Sequence, residues 1–187
     1  MGKYHIIYAD PPWSFNNKRT GGSLKSGALA HYDVMTISDM CNLPIEQITN
    51  DNCMLFMWWV ASQPVEALQL VDAWGFTLKT MTGFNWVKKT KHGKPFFGMG
   101  FYTRQGSENC LIAVKGKSIV ASHSVRAVTS FVAGRHSEKP QIFRDKIVEL
   151  CGDLPRVELF ARSASDGWDV WGNEVESNID LENFKVE

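Results

Sequence analysis

Asp10-Pro11-Pro12-Trp13 is the stretch of this chain whose residue types are best suited to chemistry. Each proline fixes its own φ and lacks a backbone N–H. The residue before a proline is held extended. The turn therefore offers a carboxylate and backbone carbonyls with few donors beside them, an acceptor-only cluster. Its complement is a group with two hydrogens to give, such as an exocyclic amine. Trp13 adds a flat apolar surface on which an aromatic ring could lie. An amine on an aromatic ring describes a nucleobase: adenine N6 or cytosine N4. The plainer reading is a strand ended by two prolines, with a tryptophan packed behind them.

The elements around the turn favour chemistry. Tyr4 to Ala9 reads as a buried strand, and Asp10 follows it directly. Ser14 to Ala30, with Gly21, Gly22 and Gly27, reads as a long mobile loop. Ser38 to Ile48 reads as a short helix broken near Pro44. Met54 to Val60 is a continuous apolar run, as in a strand covered on both faces. Ser62 reads as an N-cap, Pro64 as first-turn proline and Gly75 as the stop of a helix ending near Trp74. Thr77 to Val87 and Asn109 to Lys115 read as strands, joined by a Lys- and Phe-rich connection. Pro140 opens a helix that Gly152 ends, and Arg156 to Phe160 is the last clear strand. This alternation predicts one α/β domain over residues 1–187 with a mainly parallel sheet. Ligands of such sheets sit outside the carboxyl ends of the strands, where Asp10 falls.

Composition narrows the partners. No segment has the length and apolar character of a membrane span, and the first residues lack a signal-peptide pattern. Cys41, Cys53, Cys110 and Cys151 lie far apart, and neither they nor the five histidines give a zinc-like spacing. The expectation is a cytoplasmic protein with free thiols and no metal. Net charge is zero, yet twelve Lys and Arg stand against two acids, Glu108 and Glu138, between Lys79 and Arg144. Such a basic middle suits a polyanion on one face. Val87 to Arg104 interleaves cations with Phe96, Phe97, Phe101 and Tyr102. Cations hold phosphates, and aromatics stack on bases or wedge a duplex. Lys88, Lys89, Lys91 and Arg104 are the candidate substrate contacts. The plainer reading of this segment is a hairpin loop whose Phe residues cap the core.

The motif also resembles that of the DPPW adenine N6-methyltransferases, the small bacterial and phage relatives of the catalytic subunit of the eukaryotic mRNA adenosine methyltransferase. The resemblance runs in order along the chain: HYDVMT at 31–36, MLFMWWV at 54–60, FNWVKKT at 84–90, GSENCLIAVKG at 106–116, HSEKP at 136–140, then VELFAR and GWDVWGNEV. It implies a Rossmann-like S-adenosylmethionine-dependent methyltransferase fold in permuted order, with the catalytic motif first and the cofactor strand last. It implies transfer of a methyl group from S-adenosylmethionine to adenine N6, with DNA as the preferred polymer. Asp10 and the Pro11 carbonyl each accept an N6 hydrogen, Pro12 shapes the turn, and Trp13 stacks on or walls the base. Asp10 also counts among the cofactor contacts. By the same resemblance Lys139 lies near the methionine carboxylate of the cofactor. Phe160, Arg162 and Ser163 line its ribose, Asn173 and Glu174 meet its adenosine, and Tyr32 stands in the gate loop.

The chain also departs from its larger relatives. Only Met1 to Lys3 precede the first strand, where those relatives carry a segment that helps hold the cofactor adenine. Ser163-Ala164 stands where the eukaryotic enzyme has a Pro-His-Asn run, so the ribose contacts are expected to differ. The rival readings are the same reaction on RNA adenosine, methylation of cytosine N4, and a non-catalytic nucleic-acid-binding subunit with this fold. The retained Asp10, both prolines, Trp13, Lys139 and Asn173 weigh against the last.

Overall fold

The computed structural model describes residues 2–13, 35–134, 138–181 and 183. The loop expected at 14–30 and Tyr32 lie outside the described residues.

Seven strands form one sheet: β1 (Tyr4–Ala9), β2 (Thr49–Trp59), β3 (Thr77–Lys89), β6 (Ser107–Lys115), β7 (Val128–Val132), β8 (Arg156–Leu159) and β9 (Asp169–Trp171). Two-residue strands β4 (Gly98–Met99) and β5 (Arg104–Gln105) form a separate hairpin between β3 and β6. The order across the sheet is β7-β3-β6-β2-β1-β8-β9. β1 is parallel to both neighbours, β2 and β8, and β3–β7 and β8–β9 are parallel too. β6 runs against both β2 and β3. The sheet is thus mainly parallel, in the α/β arrangement expected of a Rossmann-like methyltransferase.

The helices are α1 (Ile37–Cys41), α2 (Ile45–Ile48), α3 (Pro64–Ala73) and α4 (Ile142–Cys151). Strand side chains alternate between faces, and here both faces are covered. Ile7, Ala9, Leu55 and Met57 join the cluster that contains Met40 of α1, Ile45 of α2 and Leu70 of α3. Ile6, Tyr8, Met54, Phe56 and Trp58 face the other way and pack with Phe143 and Ile147 of α4. That double burial is why β2 reads as an unbroken apolar run. A bidentate ion pair at 2.6 and 2.7 Å, Arg144 to Glu158, fastens α4 to β8.

Some local expectations shift. Gln63, not Ser62, is the N-cap of α3, and it makes no side-chain cap bond. Pro64 at the first turn sets the start instead, its missing N–H costing nothing there. Gly75 ends that helix at φ 76°, in the left-handed region that glycine adopts freely. The 38–48 helix is two short helices separated at Asn42–Pro44, and β2 begins five residues before its apolar run. β7 and β9 were not anticipated. Among the described residues no helix is long and apolar enough to cross a membrane.

Candidate active site at one edge of the sheet

The strand directions put several chain segments at one edge. β1, β2, β3, β7, β8 and β9 all end there. β6 runs the opposite way, so it begins there, and its second residue is Glu108.

Asp10 leaves β1 with its N–H donated to the Leu159 carbonyl of β8 at 3.4 Å. Pro11 and Pro12 have no N–H. The Trp13 N–H folds back to the Pro11 carbonyl at 2.8 Å, and its indole N–H is donated to the Trp58 carbonyl at 3.1 Å. Every donor of the four-residue turn is therefore spent inside the protein. The partly exposed Asp10 carboxylate only accepts. The Pro11 carbonyl keeps a second lone pair beside the one that Trp13 occupies. Trp13 is only 6% exposed and belongs to the core cluster of α1–α3. A ring so enclosed anchors the turn and offers little face for stacking.

Lys139 reaches this turn from the segment before α4. Its Nζ donates to Asp10 Oδ2 at 2.8 Å and lies 3.1 Å from Glu108 Oε2. It also stands 5.3 Å above the Trp58 ring. Glu108 in turn pairs with Lys88, whose Nζ lies 4.8 Å from the Trp86 ring centroid and 5.6 Å from that of Phe96. Asp10, Lys139, Glu108 and Lys88 thus form one chain of alternating charge. Burial opposes the Lys139 charge, but the Asp10 and Glu108 carboxylates outweigh it and hold its ammonium above the ordinary lysine range. Burial likewise opposes ionisation of Glu108, and the Lys139 and Lys88 ammoniums overcome it, so Glu108 sits below the ordinary carboxylate range. Both stay charged near neutral pH.

In this structure Lys139 pairs with the Asp10 carboxylate, and Lys88 is tied to Glu108. Lys89, the last residue of β3, is half-buried, and Lys91 and Arg104 are exposed on the excursion between β3 and β6.

A cleft opens beside Asp10 and Pro12. Phe160, Ala161 and Arg162 wall it after β8, Trp171 at the end of β9 and Asn173 and Glu174 after it, and Met35 also lines it. Phe160 takes φ 60°, unusual for a non-glycine residue. The bend lays its ring near-parallel to Trp74, 6.5 Å away, and edge-on to Trp171 at 5.4 Å. Gly172 lets the two walls approach. A Cβ there would fall 2.2 Å from the Ala161 carbonyl oxygen. Arg162 and Glu174 face each other at 4.0 Å. Asp10, Phe160, Arg162, Asn173 and Glu174 are therefore brought together, whereas Ser163 is exposed and does not line the cleft. Sequence reasoning missed Met35, Trp171 and Glu108. For Glu108 the clue was present: it is one of two acids in a stretch of twelve cations.

No group of three or more His, Cys, Asp or Glu suited to a metal occurs among the described residues. Cys53, Cys110 and Cys151 are buried free thiols; burial raises all three above the ordinary range, Cys151 to about 12.

Comparison with known proteins gives the same frame. The MT-A70 family signature matches residues 4–174. The type II methyltransferase M.MunI of a Mycoplasma species is 33% identical over 94% of this chain and 79% of its own length. The human N(6)-adenine-specific methyltransferase METTL4 is 26% identical over 92% of this chain. The N6-methyladenosine RNA methyltransferase MTA1 of Pyricularia oryzae is 27% identical over the same share. The matches span 37% of METTL4 and 47% of MTA1.

Proposed function

The chain belongs to the MT-A70 family, and from that premise we propose that it transfers a methyl group from S-adenosylmethionine to the N6 amine of adenine in DNA. The observation that carries this reading is the turn at Asp10, whose donors are all spent and whose carboxylate residue lines the cleft. Such a turn complements an amine with two hydrogens.

The cleft beside it suits the cofactor chemically. Asp10 and Glu174 offer carboxylates for an ammonium and for hydroxyls, Asn173 offers an amide, and Phe160 and Trp171 offer aromatic surface to a cationic or heteroaromatic group. S-adenosylmethionine, when bound, supplies an electrophilic methyl on a sulfonium.

The protein's own part is positioning. An adenine amine is a weak nucleophile because its lone pair is delocalised into the ring. Asp10 accepts one N6 hydrogen and the Pro11 carbonyl the other, which favours a more pyramidal nitrogen with an available lone pair. The prolines fix both acceptors before the base arrives, so little ordering is left to the reacting complex. Lys139 holds the Asp10 carboxylate in one orientation, and Glu108 holds Lys139. Asp10 also receives the proton or passes it to water.

The DNA reading follows the type II methyltransferase, of which the chain spans most of the length. RNA adenosine is the second reading, since another relative carries an RNA methyltransferase name. Labelled methyl transfer onto single-stranded and duplex DNA and RNA of equal sequence, followed by digestion to nucleosides, tests both. N6-methyladenine in DNA is expected. A product confined to RNA, or N4-methylcytosine, would overturn the proposal.

A further inference from the structure

The excursion between β3 and β6 has an unusual surface. From Val87 to Gln105 it carries Lys88, Lys89, Lys91, His92, Lys94 and Arg104, and no acid. It first turns at Thr90–Lys94, and Pro95 and Phe96 return alongside Lys88 and Lys89. β4 and β5 then project as a hairpin with Gly100 to Thr103 at its tip. The apolar side chains here do not cap the core. Met99 is 87% exposed and Tyr102 fully so, with Phe97 and Phe101 exposed beside them. Tyr102 holds φ 64°, a left-handed conformation that a bulky residue seldom adopts. Apolar side chains gathered in water on one projection mark a surface that meets a partner.

Two observations identify that partner. The first is charge: an acid-free, cationic surface with an aromatic tip complements a polymer with anionic edges and an apolar stacked interior. A second copy docked symmetrically on the same patch would set cation against cation. The second is place. The root of the excursion is joined to the catalytic carboxylate through Lys88, Glu108 and Lys139, and Phe96 packs against Lys88. The hairpin thus springs from a root that is linked to the residue proposed to hold the base.

We infer that Phe101 and Tyr102 form a wedge that enters a DNA duplex and fills the space left when the target adenine turns out toward Asp10. An adenine amine in a paired duplex is reached only by extruding the base. Apolar side chains inserted between base steps are one physical means of stabilising the opened stack. The inference rests on the reading of DNA adenine as substrate.

The test is equilibrium binding of the full chain to three probes of one sequence: an intact duplex, the same duplex with a central abasic site, and the single strand. Wild type is expected to bind the abasic duplex about tenfold tighter than the intact one, within the range of base–aromatic stacking. The Phe101→Ala/Tyr102→Ala variant is expected to lose that preference. Its single-strand affinity should move by less than about threefold, a much smaller change than loss of stacking produces. Its thermal midpoint should stay put, because both side chains are exposed. A variant that keeps the preference overturns the wedge, as does a wild type without one, or an equal loss on all three probes. A concentration-dependent dimer that the double substitution dissolves also overturns it, because a second copy then covers the tip. Methyl transfer measured in parallel judges the proposed reaction alone. An abasic preference without N6-methyladenine would sink the reaction, and with it the assignment of adenine as the extruded base, while the insertion of the tip into a duplex would hold.

Discussion

Lys139 donates to Asp10 at 2.8 Å across 129 positions of sequence, and this bond ties the segment before α4 to the end of β1. The same ammonium reaches Glu108 at 3.1 Å, so one buried cation is shared by two carboxylates. Removing either acid or the lysine unbalances the remainder, and each removal has a distinct signature.

Asp10→Asn keeps the shape of the turn but removes the charge and one acceptor. Methyl transfer should fall by roughly 100-fold or more, the scale of losing one preorganised electrostatic contact to a reacting group. Folding should survive, because Lys139 keeps Glu108. Full turnover of Asp10→Asn at saturating substrate would show that the amine is held elsewhere.

Lys139→Met leaves two carboxylates facing a space without its cation. Breaking a buried pair by removing one partner costs about 3–5 kcal/mol, and the partial exposure of Asp10 and Glu108 puts this case toward or below the lower end. Denaturant unfolding measures it. Lys139→Arg should recover most of the stability and only part of the turnover, since a planar fork does not reproduce a compact ammonium. If Lys139→Met unfolded at the wild-type midpoint, the pairing would contribute nothing to the fold.

The pH dependence follows from the directions of the shifts. Glu108 lies below its ordinary value of 4.5 when folded, so its contribution is present above that value and is lost as pH falls through the folded one. Lys139 lies above 10.5 when folded, so its contribution is complete below that value and is lost as pH rises through the folded one. Between about pH 6 and 9 neither group should tilt the stability curve. Below pH 4.5, wild type should lose stability more steeply than Glu108→Gln. Parallel curves for the two proteins would remove Glu108 from the linkage.

The cleft residues divide by position. Asn173→Ala and Glu174→Ala should each weaken binding of S-adenosylhomocysteine by about 1–2 kcal/mol in calorimetry, as for hydrogen bonds lost to a bound ligand. Ser163→Ala should change it little, because Ser163 is exposed outside the cleft. The opposite ranking would mean that the cofactor lies across the outer face of the 160–163 bend.

Much of this arrangement is legible in the residue order, and the exceptions have physical causes. β1 and β2 announce themselves because central strands are apolar on both faces, and β8 through Val157 and Leu159 on one face. Their carboxyl ends then locate Asp10 and Phe160. Strand direction is not written in an apolar run, so CLIAV of β6 reads the same either way. Its reversal brings Glu108 to the edge where the other strands end. β7 and β9 are short edge strands, and Val128, Phe131 and Val132 of β7 stay exposed, which leaves no buried pattern to read. Only the resemblance connects Phe160 with the cofactor. Its left-handed backbone, which turns it into the cleft, has no counterpart in composition.

The cations of the basic stretch should separate by role. Lys91 and Arg104 are exposed, and Lys94 joins them on the acid-free excursion. Each that contacts a phosphate contributes about 0.9 to the slope of log K against log salt on duplex DNA. Neutralising the three together should lower that slope by between about 1 and 3, with methyl transfer falling mainly through weaker DNA binding. Lys88 is different because its charge is already matched by Glu108. Lys88→Met should leave the slope nearly unchanged and lower turnover at saturating DNA, since Glu108 would then lean on Lys139 alone. The salt slope and the turnover together separate the two roles. If Lys88→Met changed the salt slope as much as Lys91→Met and spared turnover, Lys88 would be an ordinary phosphate contact, and the charge chain would end at Glu108.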